Sequence, residues 1–256
     1  MTKLACQRVD LSIAGKAVCN GLDLEITPGQ LWALMGPNGI GKTTLMKCLA
    51  GLLEPETGHV LLDDRPIGRA PRRDVARALG MLQQHTVYVF DASVLETALT
   101  GRHPHLGRWQ REGDEDRQKA LRAIRAVDLE GFEDRSVTGL SGGEARRLAF
   151  ATLMVQEPEV LLLDEPTNHL DMQHQLRIMG HVAALIDSGM HCAMVALHDV
   201  NLAARYCSHV LMLEGDGNWQ AGAAGELLQA DNLERLYRCP VVSVQTPSGR
   251  RFLPGG

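Results

Sequence analysis

Gly36-Pro37-Asn38-Gly39-Ile40-Gly41-Lys42-Thr43-Thr44 fits the pattern G-x-x-x-x-G-K-[ST] at every fixed position. The pattern makes a phosphate-cradling loop and implies a nucleoside triphosphate. Its glycines let successive backbone N–H groups turn onto phosphate oxygens, where a Cβ would intrude. Lys42 brings a mobile cation and Thr43 a hydroxyl suited to Mg²⁺. Before the loop lies Leu31-Trp32-Ala33-Leu34-Met35, an apolar run of buried-strand length; after it Leu45, Cys48, Leu49 and Leu52 recur at helical spacing. Strand, loop, helix is the order such a loop requires.

The chain has 256 residues, enough for one large domain or a domain carrying an inserted subdomain. Its composition, 45% hydrophobic and 22% charged, is that of a folded globular protein rather than a disordered or fibrous one. A net charge of -5 argues against bulk attraction to nucleic acid. The Arg-rich stretch from Arg69 to Arg77 reads as a solvated helix face. No uncharged run reaches the roughly 18 to 20 residues that span a bilayer. Leu4-Ala5-Cys6 lacks the apolar run that a lipidation signal needs before it, so export is not expected. The 6 cysteines include no C-x-x-C pair, and a reduced, cytosolic setting is expected.

Alternating apolar and polar positions over residues 1–30, punctuated by Gly15 and Pro28-Gly29, predict antiparallel strands ahead of the loop. Gly58 to Asp63 and Ala78 to Leu82 are further short strands. From His85 to Glu157 the pattern turns helical, with Leu121, Ile124 and Val127 opposite Arg117, Lys119, Arg122 and Arg125. Val160 to Leu163 and Cys192 to Leu197 are near-continuous apolar runs, as in a parallel sheet covered on both faces. A helix over Glu226 to Tyr237 closes the pattern.

Two carboxylates, Asp164 and Glu165, stand at the C-terminal end of the Val160 strand, where open α/β sheets bind ligands. Asp164 suits a Mg²⁺ ion and Glu165 the polarising of a water that attacks the γ-phosphate. Ser141 and Glu144 in Leu140-Ser141-Gly142-Gly143-Glu144 have the spacing of a helix-capping box. The same helix start, with two glycines and a hydroxyl, equally makes an anion site. Locally, cap and anion site are both open.

Taken in order, these segments resemble a nucleotide-binding subunit of the ATP-binding-cassette (ABC) family over nearly the whole chain. Gly36 to Thr44 is similar to its Walker A loop, Gln84 to its Q-loop glutamine, Leu140 to Glu144 to its signature motif, and Leu161 to Glu165 to its Walker B strand. Asn168 to Asp171 resembles its D-loop and His198 its switch histidine. Gln83 beside Gln84 leaves the Q-loop register open. The resemblance implies an α/β P-loop NTPase (RecA-like) core with an N-terminal antiparallel β subdomain and an inserted α-helical subdomain. It divides a single domain, 1–256, into a core of 1–84 and 158–215, a helical subdomain of 85–157 and a C-terminal extension of 216–256.

The resemblance also implies roles. Gly36, Pro37, Asn38, Gly39, Ile40, Gly41, Lys42, Thr43 and Thr44 would bind nucleotide, with Lys42, Gln84, Glu165 and His198 catalytic and Thr43, Gln84 and Asp164 facing the metal. Two copies would sandwich two ATP–Mg²⁺, with Ser141, Gly142, Gly143 and Glu144 acting in trans and Asp171 in the D-loop. Partners would be a second copy, a separate integral-membrane permease dimer and, indirectly, a periplasmic or extracellular solute-binding protein, with no nucleic acid. The location would be the cytoplasmic face of the cell membrane.

The family places an aromatic ring on its N-terminal strands to stack on adenine, whereas the corresponding place here holds Ile13 beside Ala14. Leu99-Thr100-Gly101-Arg102-His103-Pro104-His105 after the Q-loop resembles importers of iron chelates, haem and cobalamin. The rival reading is a soluble ATPase of the same type tied to no permease, such as one assembling iron–sulfur clusters.

Overall fold

The computed structural model describes residues 2–84, 86–168, 170–247 and 249–255. The first half runs β1 (Leu4–Ile13), β2 (Lys16–Ile26), β3 (Leu31–Met35), α1 (Lys42–Leu49), β4 (Thr57–Leu62), β5 (Arg65–Pro66), α2 (Arg72–Ala78), β6 (Leu79–Leu82), α3 (Val94–Leu99) and α4 (Asp114–Ala126). It continues with α5 (Gly142–Gln156), β7 (Val160–Asp164), α6 (Met172–Asp187), β8 (Cys192–Ala196), α7 (Val200–Tyr206), β9 (His209–Gly215) and β10 (Asn218–Ala223). The last elements are α8 (Ala224–Leu227), α9 (Ala230–Tyr237), β11 (Val241–Thr246) and β12 (Gly249–Pro254).

The central sheet has the order β10-β9-β3-β8-β7-β6. Its five strands from β9 to β6 are parallel, and β10 pairs antiparallel with β9. The apolar runs explain this. Every residue of β3, β7 and β8 is buried, which only a sheet covered on both faces allows. Along β3 the side chains alternate between two cores. Leu31, Ala33 and Met35 join residues of α3 to α7, whereas Trp32 and Leu34 join α1 and the antiparallel strands. That second layer has the order β2-β1-β4-β5, with β1 antiparallel to both neighbours. The predicted α/β core, N-terminal antiparallel sheet and helical insertion are therefore all present, the insertion being α3 to α5 between β6 and β7.

Two local expectations fail. The helix predicted over Glu226 to Tyr237 is broken into α8 and α9, because Gln229 is extended and Leu228 is drawn into the main core at 3% exposure. Leu52 does not extend the apolar stripe of α1: the helix stops at Leu49, Gly51 takes a positive φ, and Leu52 is exposed. The structure also adds strands that the sequence reading lacked, the β9-β10 pair at the sheet edge and the β11-β12 hairpin. Asn201 fastens that hairpin, its side chain bonding to both Phe252 N and Phe252 O, 2.8 and 3.0 Å away.

Candidate functional site

The site gathers at the C-terminal ends of β3, β6, β7 and β8, where the strand carbonyl ends meet the loops that follow them. Beyond β3 the phosphate loop is wedged between neighbours on two sides. A Cβ at Gly36 (φ 150°) would lie 2.7 Å from Leu213 O, and one at Gly41 (φ 107°) would lie 2.4 Å from Val18 Cγ2. Both positions thus exclude side chains by space as well as by backbone angle. Gly41→Ala is expected to weaken ATP binding about tenfold or more through this clash and strain. Val18→Ala added to it should restore part of the affinity, the positive φ withholding the rest. A fluorescent-nucleotide titration measures both, and an unaltered affinity in Gly41→Ala would show that the loop is not held this way.

Lys42 opens α1 and is buried, with Nζ donating to Gly36 O at 2.8 Å and Pro37 O at 3.1 Å. Burial holds its ammonium below the ordinary lysine range, and the Glu165 and Asp164 carboxylates draw it partly back. The cation is therefore folded over the loop that it serves, on backbone acceptors that a phosphate can replace.

Asp164 ends β7 with no exposed surface, and neither carboxylate oxygen has a hydrogen-bond partner. Burial pushes its carboxyl above the usual range, and the Thr43 hydroxyl opposes that shift without completing a hydrogen bond to it. Glu165 adds to the upward push, while Arg146 and Lys42 act against it. Orphaned buried oxygens beside a hydroxyl are an oxygen donor set of the kind a hard divalent cation takes. Asp164 and Thr43 therefore fit Mg²⁺.

Glu165 collects two more of the predicted groups, Gln84 and His198. Its Oε2 accepts from Gln84 Nε2 at 2.8 Å and from Asn168 Nδ2, and its Oε1 lies 2.6 Å from His198 Nε2. An ionised carboxylate only accepts, which assigns the proton of that last pair to Nε2. Glu165 is 7% exposed and sits at φ 50°, a left-handed angle that costs a non-glycine residue about 1–3 kcal/mol. Gln84 reaches Glu165, whereas Gln83 beside it is exposed.

The signature residues stay apart from this cluster. Ser141 caps α5 in the reciprocal box that its spacing predicts, Ser141 N donating to Glu144 Oε2 at 2.7 Å and Glu144 N to Ser141 Oγ at 3.3 Å. The Ser141 backbone N–H holds the Glu144 carboxyl below the usual range. Asp171 caps α6 without the reciprocal bond, accepting from His174 N at 2.9 Å and touching His174 Nδ1 at 2.8 Å. His169, also in the D-loop, lies outside the described residues.

Two contributors escaped the sequence reading. Asn168 was noted only as the start of the D-loop, yet its amide reaches Glu165. Arg146, on the second turn of α5, is 6% exposed and donates to the Gln83, Gln84, Asp164 and Glu165 carbonyls. Arg146 carries no local signal, because its acceptors lie far off in sequence, whereas Asn168 is only 3 residues from Glu165 and its reach shows only in the folded turn.

A phosphate loop, a metal-fitting aspartate and a glutamate held by glutamine and histidine are what a machine for splitting ATP needs. Comparison with known proteins agrees. The sequence profile of the ABC transporter family matches residues 19–168, and the chain belongs to that family. As one of its ATP-binding subunits it is an ATPase. It is 34% identical to the ferric enterobactin transport ATP-binding protein FepC of Escherichia coli, over 94% of this chain and 90% of the relative. It is 36% identical to the hemin import ATP-binding protein HmuV of Myxococcus xanthus, over 92% and 90%. In fold it is similar to an inward-facing ABC transporter assigned to the metal-chelate type, with a TM-score of 0.85 at 24% identity, covering 100% of this chain and 98% of the other.

Proposed function

We propose that the chain hydrolyses ATP as half of a homodimer that drives a separate membrane permease importing an iron chelate, haem or cobalamin. The observation that carries the reading is the convergence of Gln84, Asn168 and His198 on Glu165, one residue beyond the orphaned Asp164. In this reading the loop N–H groups and Lys42 hold the phosphates. Asp164, Thr43 and the Gln84 amide oxygen would hold Mg²⁺, which would there neutralise phosphate charge. Glu165 takes the proton of the attacking water, and His198 holds the carboxylate and the γ-phosphate edge in register.

The second copy follows from what one copy leaves unused. A Cβ on Gly142 would meet nothing within 4 Å, so no packing inside the subunit demands glycine there. Two glycines at an exposed helix start instead suit close approach by the triphosphate on another subunit. A groove lined by Gln83, Thr86, Val87, Tyr88, Thr97 and Thr100 opens beside the Q-loop, and Val89 and Phe90, next in the chain after Tyr88, are exposed. We assign that groove to a cytoplasmic segment of the permease, reporting the state of Gln84 to it and back.

Among the described residues no helix is long and apolar enough to cross a membrane, and the permease would hold the chain at the cytoplasmic face. A solute-binding protein outside would choose the cargo. A tagged chain recovered from its own cells is expected to bring an integral-membrane protein with it. Its turnover in that complex should rise several-fold when the loaded binding protein is supplied. Recovery from the soluble fraction with an iron–sulfur scaffold would overturn the importer reading in favour of the permease-free ATPase.

A further inference from the structure

We propose that Arg146 is a positioning residue that couples the signature helix to the catalytic glutamate and the Q-loop of its own subunit. The inference rests on the functional reading above for what those two elements do, and on geometry for the coupling. Its Nη1 donates to Gln83 O and, at 3.2 Å, to Gln84 O. Its Nη2 donates to Asp164 O and, at 2.8 Å, to Glu165 O. One guanidinium thus joins α5 to both segments that carry the reacting side chains.

The choice of acceptors makes this more than a core contact. All four are backbone carbonyls, two on the Q-loop and two on the turn that leaves β7, so the planar fork fixes chain direction rather than a side chain. Glu165 takes its left-handed φ of 50° at that turn, and such an angle persists only where surrounding contacts enforce it. Arg146 supplies one of those contacts. It is also the site's second buried cation, brought near Asp164 and Glu165 by the helical insertion rather than by the phosphate loop.

Position along α5 supplies the rest. Ser141 caps this helix, and Arg146 follows little more than a turn later. An α-helix moves as a rigid rod over that distance. A shift of α5 on meeting a partner's triphosphate is therefore delivered to the Glu165 backbone and to Gln84 together. Each subunit would feel, in the site that it builds, the occupancy of the site that it caps.

Two variants test the coupling. Arg146→Gln can serve two of the carbonyls with its amide donors but cannot span both pairs; Arg146→Lys keeps the charge and three donors without the fork. Four readouts are taken on each full-length chain: melting temperature, affinity for a fluorescent ATP analogue, turnover at saturating ATP, and ATP-driven dimerisation in a Glu165→Gln background. Arg146→Gln is expected to keep nucleotide affinity within about threefold and to dimerise with ATP, while turnover falls about 30- to 100-fold. Arg146→Lys should recover about a tenth to a third of the wild-type rate. Turnover within twofold of wild type in Arg146→Gln overturns the proposal. So does a parallel loss of melting temperature, nucleotide affinity and turnover in both variants, which would mark Arg146 as a structural contact only. Failure of Glu165→Gln with Arg146 intact to dimerise sinks the dimer reading instead, and leaves the turnover comparison standing.

Discussion

Glu165→Gln should slow ATP turnover by about a thousandfold while leaving ATP bound, because the change removes the base and keeps the shape. An amide in this place can keep its oxygen on Gln84 and Asn168 while its NH₂ donates to His198 Nε2 in the other tautomer, so the fold around β7 has no reason to yield. What the amide cannot do is accept a proton from the attacking water. With cleavage blocked, the γ-phosphate should stay and, in the proposed dimer, would hold two chains closed around it. Single-turnover phosphate release and light scattering with ATP–Mg²⁺ check both halves of this expectation. Undiminished steady-state hydrolysis would move the base elsewhere.

Asp164→Asn is expected to cut Mg²⁺-supported turnover by about a hundredfold to a thousandfold, through the metal rather than the nucleotide. One oxygen and the negative charge are lost from a position where both carboxylate oxygens have no partner within the protein. A Mg²⁺ titration at saturating ATP should therefore show a much higher half-saturating concentration. The wild type should also respond to pH. Asp164 is held above the ordinary carboxylate range, so in the ligand-free fold its stabilising contribution is complete below that ordinary value and is lost as pH rises through the raised one. Deprotonated above that raised value and unpaired, it weighs against the fold until a cation arrives. The thermal stabilisation given by Mg²⁺ with ATP should accordingly shrink on acidification, as protons compete for Asp164, and should change little with pH in Asp164→Asn. Equal stabilisation of both chains at every pH would remove Asp164 from the metal site.

Much of this architecture could be read from local patterns. A continuous apolar run can hide only in a doubly covered sheet, and so β3, β7 and β8 were visible without any structure. The phosphate loop and the Ser141 box were equally plain, because their chemistry is confined to a few consecutive residues. What escaped was decided by distant partners. Gln83 and Gln84 are alike as letters, and only the approach of Glu165 tells them apart. Arg146 sits in an ordinary polar stretch of an amphipathic helix, and its four acceptors come from two other elements. The break at Leu228 follows from the core's claim on that side chain, which overrides a helical pattern on either side. The closing hairpin is largely exposed, leaving little alternation for a reader to find.

In the isolated subunit both oxygens of Glu165 are already engaged, one by His198 and the other by Gln84 and Asn168. A water molecule approaching this carboxylate has to share it with those donors or displace one of them. In the proposed dimer a solitary chain would thereby be kept idling, its fuel safe from aimless combustion, and the throttle would open when a companion's arrival rearranges the grip.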